Sequence, residues 1–200
     1  MELLIATTNK GKIKEFREIL GADRFVWTDL SQRTGILEPE ETGRTFRANA
    51  CLKASHYAKQ LKMAALADDS GLEVDALHGS PGVVSARWAA IHDAGSGDFA
   101  NNSLLLKQLE KVPDEKRTAR FVCVLALSDA NGNILLTARD TVEGRIIHSP
   151  RGENGFGYDP LFLVDEMKRT TAELLPAEKH QISHRGKALA RLRQLMALNF

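Results

Sequence analysis

Leu3-Leu4-Ile5-Ala6-Thr7-Thr8-Asn9-Lys10-Gly11-Lys12 begins as an apolar run and turns abruptly small and polar. Ile13, Phe16, Ile19 and Leu20 then recur at helical spacing, and Gly21 is a natural stop. The reading is a strand, a tight polar loop and a helix. Working outward, Phe25 to Thr28 predicts a second short strand, and residues 31–43, polar and containing Pro39, Glu40 and Glu41, predict a loop. Thr45 to Leu61 puts Phe46, Ala50, Ala54, Tyr57, Ala58 and Leu61 on one helical face. Met63 to Ala67 predicts a compact strand that runs straight into Asp68-Asp69-Ser70-Gly71. After a Gly/Pro-rich loop at 78–82, a helix is expected from about Phe99 to Leu109. Arg120–Ser128 and Ile134–Ile147 predict long strands, with Asn131-Gly132 between them as a hairpin signal. The last helix starts near Arg185, with Ala188, Leu189, Leu192, Leu195 and Met196 facing the core. Helices interleaved with strands, plus a long hairpin, predict a mixed-sheet α/β protein.

No repeat, low-complexity tract or Pro/Ser-rich linker divides the 200 residues, so one continuous domain over 1–200 is expected. At this length roughly 70% of the extended-chain surface is buried on folding, and no disulfide staple is needed. The 43% hydrophobic and 26% charged shares exclude a disordered tail, a collagen-like chain and a disulfide scaffold. With 27 basic and 26 acidic residues the formal charge is +1, so no global field draws the chain to nucleic acid or anionic lipid. An anionic partner must instead be held by a local cluster of donors. Cys51 and Cys123 lie in apolar or helical runs and read as buried free thiols of a reducing compartment. The longest apolar run, Phe121 to Leu127, falls far short of the ~18 residues a membrane span requires. The N-terminus has neither a basic n-region nor a long h-region, so a cytoplasmic protein with no membrane partner is expected.

Four polar segments fall at the ends of apolar elements, where an α/β sheet places its ligand crevice. Thr7 to Lys12 leads into a helix N-terminus, which offers backbone N–H groups and a positive dipole end to a phosphate. Lys10 and Lys12 add mobile positive charge. It is no Walker A loop: Ala6 stands where the first glycine belongs, and Ile13 follows the lysine. A capped helix with solvated lysines is the plain alternative. In Asp68-Asp69-Ser70-Gly71, adjacent acids at a strand end point oppositely, one into the crevice and one supporting it. Such hard oxygen ligands suit Mg²⁺, which also takes substrate phosphate oxygens, and Glu40 and Glu41 on a separate loop could complete the site. A polar turn is the alternative reading.

The third segment runs from Ser149 to Pro160, where glycines around Phe156 let the backbone approach a flat ligand and the ring stack on it. Asp159 can accept from base N–H edges or orient a neighbouring cation. A loop that merely turns is the alternative. The fourth is Lys179 followed by Ser183-His184-Arg185-Gly186 at the start of the last helix. Ser183 reads as an N-cap, and His184 and Arg185 as donors to an anion or a base carbonyl. Phosphate holders, magnesium carboxylates, an aromatic face and base donors together describe a nucleoside triphosphate site.

Six stretches, in collinear order, resemble the inosine/xanthosine triphosphate pyrophosphatases, which remove deaminated purine nucleotides from the cell's pool. They are Ala6 to Lys12, Glu40-Glu41-Thr42-Gly43, Asp68 to Leu72, Pro81-Gly82 with Ser85-Ala86-Arg87, Gly155 to Pro160, and Ile182 to Gly186. The resemblance spans about residues 3 to 195 and departs at no motif position; Thr8 falls where the family varies. It implies substrate contacts at Thr7, Thr8, Asn9, Lys10, Gly11, Lys12, Ser70, Phe156, Gly157, Tyr158, Asp159, Lys179, His184 and Arg185. It further implies Mg²⁺ at Glu40 and Asp69, with Asp69 as proton acceptor. An elongated α/β fold of two lobes around a central nucleotide cleft, and a homodimer, are implied as well.

The implied reaction is hydrolysis between the α- and β-phosphates of ITP, dITP or XTP, giving the monophosphate and pyrophosphate and keeping these bases out of DNA and RNA. Neutralising the charged leaving group is the main task. A purine 6-oxo group would meet donors near His184 and Arg185, where adenine's amino group would leave them unpaired. Septum-associated nucleotide pyrophosphatases share the reaction type but lack the Ser-His-Arg and Phe-Gly-Tyr-Asp stretches. A noncatalytic nucleotide sensor gains little from four acidic residues in two motifs unless metal is present. No nucleic-acid partner is expected.

Overall fold

The opening apolar run folds as strand β1 (Glu2–Ile5) and the periodic segment after it as helix α1 (Lys10–Leu20). The structure, a computed structural model, describes residues 2–20, 26–33 and 35–199. Gly21 and Phe25, expected as a helix stop and a strand start, lie outside the described residues; the strand itself is β2 (Val26–Asp29). Strands β3 (Ala65–Val74), β4 (Thr118–Ser128), β5 (Ile134–Ile146), β6 (Phe162–Val164) and β7 (Arg169–Thr170) follow. The remaining helices are α2 (Phe46–Leu61), α3 (Gly97–Gln108), α4 (Pro176–Ile182) and α5 (His184–Asn199). The seven strands form one sheet in the order β2-β1-β3-β4-β5-β6-β7. β1 is parallel to β2 and β3, whereas β5–β6 and β6–β7 are antiparallel, which makes the sheet mixed and the fold α/β as expected. No helix among the described residues is long and apolar enough to cross a membrane.

The chain forms two compact units. The first comprises residues 1–70, 123–140 and 185–200, and the second residues 71–122 and 141–184. In the first, Leu3, Ile5, Phe16, Leu66, Leu125, Leu127, Leu189 and Leu192 close into one core around Cys123. Each such side chain, taken fully out of water, contributes about 1.5–3 kcal/mol. In the second, Leu72, Val74, Leu105, Leu109, Phe121, Leu161 and Phe162 form a separate core.

Two local features position polar groups in the first unit. Parallel pairing sets Ile5 opposite Leu66, so the loop leaving β1 emerges beside the acids two residues further along β3. Helix α2 begins at Thr45, whose hydroxyl accepts from Ala48 N at 3.1 Å, and ends at Lys62 in the left-handed region. Its buried face carries Phe46, Ala50, Ala54, Tyr57 and Ala58, with the polar Asn49 among them.

One expectation changes. Asp68-Asp69-Ser70-Gly71 does not lie at the end of a strand over Met63 to Ala67: β3 continues through it to Val74. Two buried carboxylates are tolerated within a strand here because cations meet both of them, as the ion pairs described below make plain.

Candidate functional site

The loop after β1 is ordered by its own side chains. Thr7 Oγ1 accepts from Asn9 N at 3.2 Å, and Asn9 Oδ1 accepts from Lys12 N at 3.0 Å, which caps the first turn of α1. Thr8, Asn9 and Lys10 are exposed, and Thr7, Gly11 and Lys12 are half-buried. The Lys12 ammonium reaches back to Asp68 Oδ2 at 3.1 Å.

Alternation along β3 sends its two acids to different partners. Asp68 is buried, and its Oδ2 takes Lys12, Arg185 Nη2 at 3.1 Å and the Ser70 hydroxyl at 3.0 Å. Burial alone would raise its carboxyl, but Lys12, Arg185 and Lys53 hold it well below the usual carboxylate range. Its Oδ1 is buried with no hydrogen-bond partner among the described residues. Arg185 is itself buried, with Nη1 on the Glu15 carboxylate and Nη2 also donating to Ser70 Oγ at 2.8 Å. Burial opposes its charge, yet Glu15 and Asp68 raise its pKa further.

Asp69 faces α2. Its Oδ1 accepts from Lys53 Nζ at 2.7 Å, and Asn49 Nδ2 stands 3.3 Å from its Oδ2. The same ammonium lies 2.7 Å from Glu41 Oε1, so one cation bridges two carboxylates from different segments. Burial pushes the Asp69 carboxyl up despite the pull of Lys53 and Lys12. Burial would depress Lys53, but Asp69, Asp68 and Glu41 outweigh it and raise its pKa. Glu40 is exposed; the neighbouring Glu41 is the acid that the structure joins to this group.

A divalent cation fits this chemistry. Carboxylates are its natural ligands, and one ammonium already bridges two of them, Asp69 and Glu41. No group of three or more His, Cys, Asp or Glu side chains is arranged as a metal cage among the described residues. Mg²⁺ does not require one, because it keeps several waters and binds through one or two carboxylates plus phosphate oxygens.

The second unit carries the aromatic loop. Asp159 is its hub: Oδ2 accepts from Phe156 N at 2.9 Å and from Lys179 Nζ at 2.6 Å, and Oδ1 accepts from Thr171 Oγ1 at 2.8 Å. The Lys179 ammonium also lies 5.2 Å from the centre of the Phe156 ring, within cation–π range. Gly155 is needed for space, since a Cβ there would come 2.0 Å from Asp159 Oδ2. Tyr158 is buried and donates its hydroxyl to Ser85 O at 2.9 Å. The His184 ring is buried and stacks on Phe121 at 5.0 Å. Ser183, buried between α4 and α5, donates its N–H to Lys179 O at 2.8 Å.

Thus Lys12 and Ser70 meet Asp68 and Arg185 in the first unit, while Phe156, Asp159 and Lys179 meet in the second. Sequence reasoning missed Lys53, Asn49, Glu15 and Thr171. For two of them a signal existed: Asn49 and Lys53, four apart, are polar beside the apolar face of α2.

A mixed α/β sheet that sets a lysine-bearing strand–helix loop beside paired acids defines a polyanion-binding protein with carboxylates placed for cation or proton chemistry. The chain belongs to the Ham1 family, whose profile matches residues 3–195. Two relatives named dITP/XTP pyrophosphatase are similar over nearly their whole length. The one from Exiguobacterium sibiricum is 49% identical, covering 96% of this chain and 95% of that protein. The one from Desulforamulus reducens is 50% identical, covering 98% and 96%. Among solved structures, a HAM1 protein from Coxiella burnetii superposes with a TM-score of 0.86 at 42% identity, covering 98% of each chain.

Proposed function

We propose that this chain hydrolyses deaminated purine nucleoside triphosphates (ITP, dITP and XTP) to the monophosphate and pyrophosphate, and so clears them from the nucleotide pool. It is a nucleoside triphosphate pyrophosphohydrolase acting on an acid anhydride. The observation that carries this reading is the pairing of Asp69 with Lys53 and Asp68 with Lys12, beside an ordered loop at a helix N-terminus. Full-length similarity to proteins named dITP/XTP pyrophosphatase supports the substrate class.

In the reaction, water attacks the α-phosphorus and the bond from that phosphorus to the α–β bridging oxygen breaks, so pyrophosphate leaves. Asp69 takes the proton of the attacking water; burial, which raises its carboxyl, suits a proton acceptor. Lys12, and those loop N–H groups not already donated to Ile5 O, Thr7 Oγ1 and Asn9 Oδ1, balance the charge that builds on pyrophosphate. Ser70, held by Arg185 and Asp68, contacts the polyphosphate once its single O–H turns from Asp68 to a phosphate oxygen. Mg²⁺ is the proposed cofactor, held by Asp69 with Glu40 or Glu41, and supplies charge neutralisation on the phosphates. The base stacks on Phe156, with Gly157 and Tyr158 shaping the loop and Asp159 and Lys179 at the ring's underside. To His184 and Arg185, the first residues of α5, we assign the reading of the 6-oxo group, as the resemblance implies.

We place the enzyme in the cytoplasm as a homodimer, as the resemblance implies. The decisive experiment is pyrophosphate release with Mg²⁺ across ITP, dITP, XTP, GTP and ATP. Efficient release from ITP and XTP and poor release from ATP is expected; equal rates on all five would overturn the substrate assignment.

A further inference from the structure

Both peptide groups of Gly157 are gripped by one helix. In α3, Asp98 Oδ2 accepts from Gly157 N at 2.7 Å, and Asn102 Nδ2 donates to Gly157 O at 2.9 Å. Asp98 and Asn102 are four residues apart, so they project from one helical face and reach a loop more than fifty residues away in sequence. At the preceding peptide group, Asp159 Oδ2 accepts from Phe156 N at 2.9 Å. The peptide groups on both sides of Phe156 are therefore held, which fixes the direction in which its Cα–Cβ bond presents the ring.

We infer that Asp98 and Asn102 are positioning residues: α3 presets Phe156 as a stacking face for the purine base, an inference that rests on the base-stacking role proposed above. The bland explanation of Asp98 is a favourable charge in the first turn of a helix. That explains neither its long-range bond nor Asn102. Among the described residues the buried Asn102 amide oxygen finds no partner, and the one hydrogen bond of its side chain is the donation to Gly157. A buried, half-satisfied amide is unfavourable in a purely structural position, and here it serves a single contact, with the loop that carries the aromatic ring. Gly157, at φ +64°, takes the left-handed conformation that lets both of its peptide groups meet α3. A preset ring spares the ordering cost that a mobile one would impose on each binding event.

The test is steady-state kinetics on ITP, XTP and GTP for Asp98→Ala, Asp98→Asn, Asn102→Ala and Phe156→Ala, with thermal melting of each. Loosening the ring acts on binding, so Asp98→Ala and Asn102→Ala should raise KM about five-fold or more on all three purines with kcat nearly unchanged. Asp98→Asn keeps an acceptor for Gly157 N and should restore most of the wild-type KM. In a Phe156→Ala background, Asn102→Ala should raise KM no further, because both changes remove the same platform. A melting temperature lowered with KM unmoved, or additive effects in the double variant, overturns the inference while leaving the reaction class intact. Should Asn102→Ala fail to fold, the exposed Asp98 supplies the same cycle. Wild-type protein inactive on all purine triphosphates, or a Phe156→Ala variant with unchanged KM, would instead remove the function or stacking role on which the inference rests.

Discussion

Lys53 Nζ lies 2.7 Å from Asp69 Oδ1 and equally close to Glu41 Oε1, so a helix lysine neutralises one acid from a strand and one from a loop. Its side chain and that of Asp69 are only 12% and 6% exposed. Removing one member of such a buried pair strands the other, at a cost of about 3–5 kcal/mol. Lys53→Met strands two carboxylates, whereas Asp69→Asn leaves Lys53 its partner Glu41. Urea unfolding should therefore show Lys53→Met as the less stable variant. The opposite ranking would remove Lys53 from its bridging role.

Turnover should rank the same two variants differently. Asp69→Asn keeps the shape but cannot accept the water's proton, and is expected to lose on the order of 10² or more in kcat. A folded Asp69→Asn protein with near wild-type turnover in the presence of Mg²⁺ would exclude it as proton acceptor.

The elements that could be read from the sequence were those with a period long enough to register. The faces of α1, α2 and α5 and the Asn131-Gly132 hairpin between β4 and β5 are of this kind. β6, β7 and α4, at three, two and seven residues, are too short to carry a pattern. The acids of β3 read as the end of the strand because local chemistry disfavours charge within one. Their neutralisation by Lys12, Arg185 and Lys53 is long-range and leaves no local trace. The same holds in the candidate site. Lys12, Asp69 and Asp159 were legible as polar residue types bordering apolar runs, whereas the bonds of Glu15 to Arg185 and of Thr171 to Asp159 follow no local pattern.

Lys12 pairs with Asp68, and nothing in that pairing senses a base. Lys12→Ala should reduce kcat/KM for ITP, XTP and GTP by similar factors. A change in the ITP-to-GTP ratio much larger than the shared loss contradicts the assignment of Lys12 to the polyphosphate.

A pH prediction comes from Asp29, away from the site. Its carboxylate accepts from Ser31 N at 2.8 Å, from the Ser31 hydroxyl and from the Arg17 guanidinium. Burial works to raise its carboxyl, but the Ser31 bonds and Arg17 outweigh burial and hold it below its usual 3.8. The folded state thus favours the ionised form. Its stabilisation is complete above the unfolded value and is lost as pH falls through the lower folded one. Asp29→Asn should cost about 1 kcal/mol at neutral pH and progressively less under strong acid. A stability difference between variant and wild type that stays constant across that range would show that the carboxylate's charge contributes nothing.

Asp159 organises the aromatic loop through three donors of different kinds, and the variants at each should separate. Thr171→Val removes a neutral hydroxyl donor and leaves the Lys179 pair, so it should cost about 1 kcal/mol of stability and little activity. Asp159→Asn keeps an acceptor for Phe156 N but takes the Asp159 charge from the buried Lys179 ammonium, 7% exposed. That is the expensive change, and it should raise KM for every purine substrate together, because the cation beneath the Phe156 ring is then free to move. Phe156→Ala sets the scale, since loss of one stacked aromatic is worth roughly 1–3 kcal/mol and does not depend on which purine is bound. Measuring kcat/KM for ITP, XTP, GTP and ATP in all three variants decides it. A selective loss on one purine in Asp159→Asn would mean that Asp159 reads the base edge directly, whereas a loss shared across the four places it behind the ring.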